Sequence, residues 1–334
     1  MSGELTDDDL REMLTHMLSA RVWSDRAFNL QRQGRAGTNA PVDGSEAVVV
    51  GAARALDPEV DWVLPQYREQ VALTRFGPDV LDRYVRYILG HPDGGHLPEG
   101  TNVWPPQISL ATQAPHGVGM AWGMRLRGEP GCAVVFIGDG STSEGDFYEA
   151  ANFAGVLGAP VVFVVVNNGW AISTPTSRQT NAKNFAEKSH AFGFPGVTVD
   201  GTDPVAVYEA MVDARARATS GAGPTLLEAV TTRLAPHTTA DDPTRYISEE
   251  ARTAAAERDP VVRFEQRLVD EGLWTSADSE RVRAEADATM EEMVVAAEAN
   301  PADRASVFDH VFATPTPRLE RQRASFVEHH GGER

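Results

Sequence analysis

GDGSTSEGDFYEAANFAGVLGAPVVFVVVNN, residues Gly138 to Asn168, is the stretch whose reading decides the fold. Just before it, residues 133–137 (AVVFI) form the short apolar run of a parallel strand buried on both faces, and Gly138-Asp139-Gly140 is turn chemistry. From about Ser143 the apolar residues Phe147, Ala151 and Ala154 recur at helical spacing. Ser143 is the expected N-cap, and Glu144 and Asp146 fall in the first turn, where the helix dipole favours acids. Gly158-Ala159-Pro160 stops that helix, and residues 161–166 are a second uninterrupted apolar strand. A strand-helix-strand crossover joins parallel strands with right-handed topology, so Asp139 and Asn168 are expected at one edge of the sheet. Open α/β sheets bind ligands at the carboxyl ends of their strands, and a helix N-terminus there turns backbone N–H groups toward an anion. One carboxylate and one amide oxygen, completed by phosphate oxygens, suit a hard cation such as Mg²⁺.

Around this unit the pattern stays α/β. Residues 5–33 carry Leu10, Met13, Leu14, Met17, Leu18 and Val22 at helical spacing, and a Gly- and Pro-rich loop follows to Gly44. Helices are expected over 45–56, with Ser45 as cap, over 80–89, 115–126 and 204–218, and strands over 197–199 and 225–232. The irregular segment 91–106 is a candidate lining for substrate entry or a plain surface loop. From Glu249 the chain reads as charged helix (261–271, 277–299), with poor order expected after Pro315. Neither a repeat nor a linker divides it. The expectation is one domain over 1–334: a helical extension and loop (1–44), an α/β core (45–248) and a helical region with a tail (249–334).

Composition narrows the partners. A formal charge of −18, with lysine only at Lys183 and Lys188, argues against nucleic acid and acidic membrane surfaces. No stretch is long and apolar enough to span a bilayer, and MSGELTDDDLREML lacks the basic and apolar regions of a signal peptide, so a cytoplasmic location is expected. Cys132, the one cysteine, precedes a buried strand and reads as core filler.

At this point a resemblance enters. GDG, then residues 141–166, then Asn167-Asn168 is similar to the thiamine diphosphate motif. NNGWAISTPTSRQ (167–179), VDGTD (199–203) and Gln66-Tyr67-Arg68 resemble the α subunit of the E1 component of 2-oxo acid dehydrogenases. The likeness runs over about residues 21–260, and its wording leans to the branched-chain enzymes, ahead of pyruvate. It implies a thiamine diphosphate-binding α/β fold with a mainly parallel sheet flanked by helices. It also implies Mg²⁺ on Asp139, Asn168 and the backbone carbonyl of Trp170, where the family usually has Tyr. Gly140 and Ser141 would offer backbone N–H groups to the diphosphate. Gln66, Tyr67, Arg68 and Leu110 would join the cofactor site, with Tyr67 and Arg68 reaching it from a helical region. His237, in RLAPHTTADDPTRY (233–246), would contact cofactor and substrate; without the resemblance a lone loop histidine reads as solvated.

The chain also departs from the family. Val166 stands where branched-chain relatives place an Arg, Ala235-Pro236 where Gly-His is usual, Ile247 where an Arg often follows the Tyr, and Ile108 where a hydroxyl residue is common. Fewer cationic partners should weaken cofactor binding, because charge-assisted hydrogen bonds are the strong ones. In the family the carboxylate that activates the cofactor lies on a separate β subunit. The resemblance therefore implies half of an active site within an α₂β₂ heterotetramer that passes an acyl group to a lipoyl domain of E2. The alternatives are an acetoin dehydrogenase α subunit or a catalytically weak paralogue with a structural role. Asp139 and Asn168 argue against the paralogue, which has no reason to keep them.

Overall fold

The computed structural model describes residues 4–301 and 303–330. In chain order these form α1 (Asp7–Arg32), α2 (Glu46–Arg54), β1 (Trp62–Leu64), α3 (Asp79–Ile88), α4 (Gln113–Arg127), β2 (Ala133–Gly138), α5 (Gly145–Leu157) and β3 (Val161–Asn167). A small hairpin, β4 (Trp170–Ala171) and β5 (Thr174–Pro175), precedes β6 (Gly196–Asp200), α6 (Pro204–Thr219) and β7 (Thr225–Val230). The chain then runs through α7 (Glu249–Ala256), α8 (Pro260–Asp270), α9 (Ser276–Ala299) and α10 (Pro317–His330).

Five strands make one sheet in the order β1-β2-β3-β7-β6, and each neighbouring pair is parallel. The expected α/β class with a mainly parallel sheet is what forms. Strand parity explains why β2 and β3 read as unbroken apolar runs. Val134, Phe136, Val162 and Val164 enter the core shared with α1, α2 and α6, whereas Val135, Ile137, Phe163 and Val165 enter the core beneath α4 and α5. Helices cover both faces, so neither set of side chains meets water.

The N-terminal helix is tied down by charge as well as by packing. Arg21 of α1 donates to Glu46 of α2 at 2.6 Å and to Asp259, the N-cap of α8, at 3.1 Å; the Glu46 side chain is fully buried. The same carboxylate accepts from Gly44 N at 2.7 Å. Further along, Arg35 pairs with Glu298 of α9 at 2.8 Å, so the C-terminal helices pack on the N-terminal one.

Several sequence expectations need correction. Ser143 does not cap α5: residues Asp139–Ser143 form a 3₁₀ turn, closed by the Thr142 hydroxyl on Asp139 O at 2.8 Å, and the helix starts only at Gly145. Ser45 holds the N-cap position of α2 but makes no side-chain capping bond; its carbonyl instead accepts from Val48 N at 3.1 Å and Val49 N at 3.2 Å. Poor order after Pro315 is not what forms over Pro317–His330, which is helical: Leu319 N donates to the Thr316 hydroxyl at 3.2 Å, Pro317 sits in the first turn, and Phe326 packs on Phe308, while residues 331–334 lie outside the described residues. Strand β1 is not legible in the sequence, because three residues ending at Leu64, just before Pro65, give too short a pattern to distinguish from a loop. Cys132 is buried beside Asp61, and burial pushes its thiol far above its usual range, in keeping with filler.

Candidate active site

Four adjacent parallel strands deliver the site. The loop after β1 carries Gln66-Tyr67-Arg68, the turn after β2 carries Asp139-Gly140-Ser141, β3 ends at Asn167-Asn168, and the loop after β7 carries His237. Tyr67 and Arg68 thus leave a strand, not the helical region expected for them. All these segments exit the carboxyl edge of the sheet, beside the point where β7 is inserted next to β3 and the strand order reverses. They surround a cavity of about 850 Å³ whose lining includes Gln66, Tyr67, Arg68, Leu110, Asp139, Gly140, Ser141, Asn168, Trp170 and His237. Every candidate named from the sequence is therefore brought to one place. The irregular segment 91–106 contributes nothing to this lining; it packs over α3 through a short 3₁₀ turn, Pro92–Gly95.

Asp139 is the centre of the polar wall. Its side chain is buried, and no arginine or lysine among the described residues pairs with it; Oδ2 accepts from Gln179 Nε2 at 2.6 Å. Burial raises its carboxyl above the ordinary value, against the Gln179 amide, nearby backbone N–H groups and the more distant Arg233 charge. A buried carboxylate without a cation is the kind of group that a metal ion would compensate. The two asparagines divide their work. Asn167 faces inward, donating to buried Glu228 at 2.7 Å and accepting from Gly169 N, whereas Asn168 lines the cavity with Oδ1 accepting from Trp170 N at 3.1 Å. Trp170 is in register with Pro175, which has no N–H, so its carbonyl takes no bond from that partner. Asp139, the Asn168 amide oxygen and the Trp170 carbonyl are oxygen donors of the kind Mg²⁺ takes. Among the described residues no cluster of three or more His, Cys, Asp or Glu competes as a metal site.

Gly140 is required by close approach: a Cβ there would lie 2.7 Å from the Ala171 Cβ. Ser141 is fully buried, and its hydroxyl accepts from Gln66 Nε2 at 3.2 Å, which ties the β1 loop to the β2 turn.

Opposite Asp139, the lining brings Arg68 beside His237. Arg68 donates to His237 O at 2.9 Å and to Pro41 O, both neutral acceptors, and reaches His237 Nδ1 at 3.3 Å. A guanidinium only donates, so Nδ1 accepts and the imidazole proton resides on Nε2. Burial first, then the Arg68 and Arg233 charges, pull the His237 pKa from 6.5 to about 4, with Asp241 opposing. The ring stands edge-on to Tyr67 at 6.5 Å, and the loop is held by His237 N on Asp241 Oδ2 at 2.8 Å and Tyr246 OH on the same oxygen at 2.5 Å. Arg233 donates to Tyr246 OH at 2.7 Å and to the carbonyl of Ile172 at 2.9 Å. Ile172, a β-branched residue with φ of 55°, occupies the tip of the β4-β5 hairpin, where glycine is usual.

This arrangement can bind an anion through one wall and a cation through the other. A family model described as dehydrogenase E1 component matches residues 14–306. The chain belongs to that family. Relatives of the E1 chain include proteins named pyruvate dehydrogenase E1 component subunit alpha. The one from Bacillus cereus is 43% identical over 89% of this chain and 80% of its own length. The one from Bacillus subtilis (strain 168) is 41% identical over 96% and 86%, and that from a Staphylococcus epidermidis strain is 41% identical over 86% and 79%. The E1 chain is thus of the α type found in 2-oxo acid dehydrogenases.

Of the family departures, Val166 is buried and lines the cavity, Ile108 lies exposed at its rim, and Ile247 is buried and packs where an Arg was expected. Three contacts are not legible in the sequence, Gln179 on Asp139 and Arg233 on both Ile172 and Tyr246. Both residues lie within quoted stretches, but only the tertiary structure shows which neighbour each one meets.

Proposed function

We propose that this chain is the α subunit of a 2-oxo acid dehydrogenase E1 and holds the Mg²⁺-diphosphate half of thiamine diphosphate. The observation that carries the reading is the pairing of donors: Asp139 and Asn168 end adjacent parallel strands and share a cavity with Arg68 and His237. Pyruvate is the first substrate to assay, because relatives at 41–43% identity are named for it, ahead of the branched-chain acids that the wording of the motifs favours. Residues 1–334 act as a single domain of this kind, in the cytoplasm, and no helix among the described residues is long and apolar enough to cross a membrane.

Asp139, the Asn168 side-chain oxygen and the Trp170 carbonyl would hold the ion, and Gly140 and Ser141 would turn backbone N–H groups to the diphosphate. Arg68 supplies a charged donor from the same cavity, beside Gln66 and Tyr67, and Leu110 gives an apolar surface at the rim. Bound there, thiamine diphosphate supplies the carbanion that adds to a 2-oxo group and accepts the electrons left by decarboxylation. His237, neutral at pH 7 with Nε2–H as donor, is placed to hydrogen-bond cofactor or substrate, and buried Val166 gives the cavity an apolar surface beside it. The remaining half of the site would come from a β subunit in an α₂β₂ assembly, with transfer to the lipoyl domain of E2. Exposed Trp122, Leu126, Phe153 and Val156 on α4 and α5 support a partner-covered face.

The test is Asp139→Ala. Mg²⁺-dependent binding of thiamine diphosphate should weaken by more than about a hundredfold, since outer-shell losses alone reach ~10–100-fold. The melting temperature should hold or rise, because an uncompensated buried carboxyl leaves the core. Unchanged cofactor binding would sink the assignment.

A further inference from the structure

Gln179 follows β5 and the 3₁₀ turn Thr176–Arg178, and its side chain reaches back across the cavity wall. Its Nε2 donates to Asp139 Oδ2 at 2.6 Å and to Thr174 O at 3.1 Å. Both partners are acceptors only, so the amide cannot be flipped. Its other atom, Oε1, is buried and has no hydrogen-bond partner among the described residues. A buried, unpaired amide oxygen next to a carboxylate without a cation awaits a donor that arrives with a ligand. The choice of a neutral donor matters. A lysine or arginine at 179 would neutralise Asp139 and compete with a metal, whereas an amide fixes the carboxylate while leaving its charge for the ion.

We infer that Gln179 is the positioning residue of the metal site: its N–H holds one oxygen of Asp139 so that the other faces the cation, and its Oε1 accepts from a water bound to that cation. Mg²⁺ keeps several waters when it binds through few protein ligands, which provides the donor that Oε1 lacks. This rests on the metal reading of Asp139 proposed above and extends it to the outer shell, where such partners orient the ligands.

The experiment titrates the full-length chain, co-expressed and purified with a matching β subunit, with Mn²⁺, a paramagnetic stand-in for Mg²⁺, at saturating thiamine diphosphate, and reads free Mn²⁺ by electron paramagnetic resonance against a cofactor-only blank. Gln179→Met removes the donor at similar volume, and Gln179→Asn keeps the amide but retracts it by one methylene. Each should weaken Mn²⁺ binding by about ten- to a hundredfold with an unchanged melting temperature. If Asp139→Ala loses Mn²⁺ while both Gln179 variants bind as the wild type does, the inference is overturned and the metal reading stands. If Asp139→Ala binds Mn²⁺ no differently from the wild type, the metal reading fails and takes the inference with it.

Discussion

His237 shows how single residues here are set by neighbours distant in sequence. Arg68 is 169 positions away, yet it donates to the His237 carbonyl and faces its Nδ1. The folded pKa of about 4 lies below the unfolded value of 6.5, so the fold favours neutral imidazole. Between those values the unfolded chain binds more protons. The stability contributed is therefore complete above pH 6.5 and is lost as pH falls toward 4. Measured by urea unfolding, the wild type should lose stability relative to His237→Gln over that window, by no more than ~2 kcal/mol once solvent at a half-buried side chain is allowed for. Parallel pH profiles would contradict the burial of this ring. Asp139, Asn168 and the Gly140 turn were legible residue by residue, because a strand end followed by Gly-Asp-Gly is a local signal. Gln179 and Arg233 were not, and neither was the Arg68–His237 contact, since a side chain's acceptor is chosen by folding.

At the scale of elements, hydrophobic period gave the central strands and most helices to within a few residues. It missed where local chemistry competes. The Asp139–Ser143 turn postpones α5, and β1 is too short to register, although it is what brings Gln66, Tyr67 and Arg68 to the site. Close packing between α2 and α6 yields a prediction against propensity. Gly51 is a helical glycine, and alanine there gains ~1 kcal/mol of helix preference. A Cβ at that position would lie 2.5 Å from Pro204 O and 3.0 Å from the Val207 Cβ. Overpacking of this sort costs typically ~1–3 kcal/mol, and the contact is with backbone, which cannot rotate away. Gly51→Ala should therefore lower the urea midpoint by an amount equivalent to about 1–2 kcal/mol at an unchanged slope. A raised midpoint would mean that the helices are less tightly apposed.

For the whole molecule, the prediction concerns completeness. Purified without a β partner, the chain should bind Mg²⁺-thiamine diphosphate weakly and release no CO₂ from pyruvate or branched-chain 2-oxo acids. Co-expression with a matching β subunit should restore both, and robust turnover by the chain alone would refute the half-site reading. The sequence by itself determined the α/β class, the parallel core strands and the carboxyl-edge position of Asp139 and Asn168, because these follow from local period and turn chemistry. Tertiary structure alone decided that β1, β2, β3 and β7 lie side by side, and hence that Arg68, Asp139, Asn168 and His237 face one cavity. Strand order is set by the burial of both sheet faces across the chain, and no local window of residues contains it.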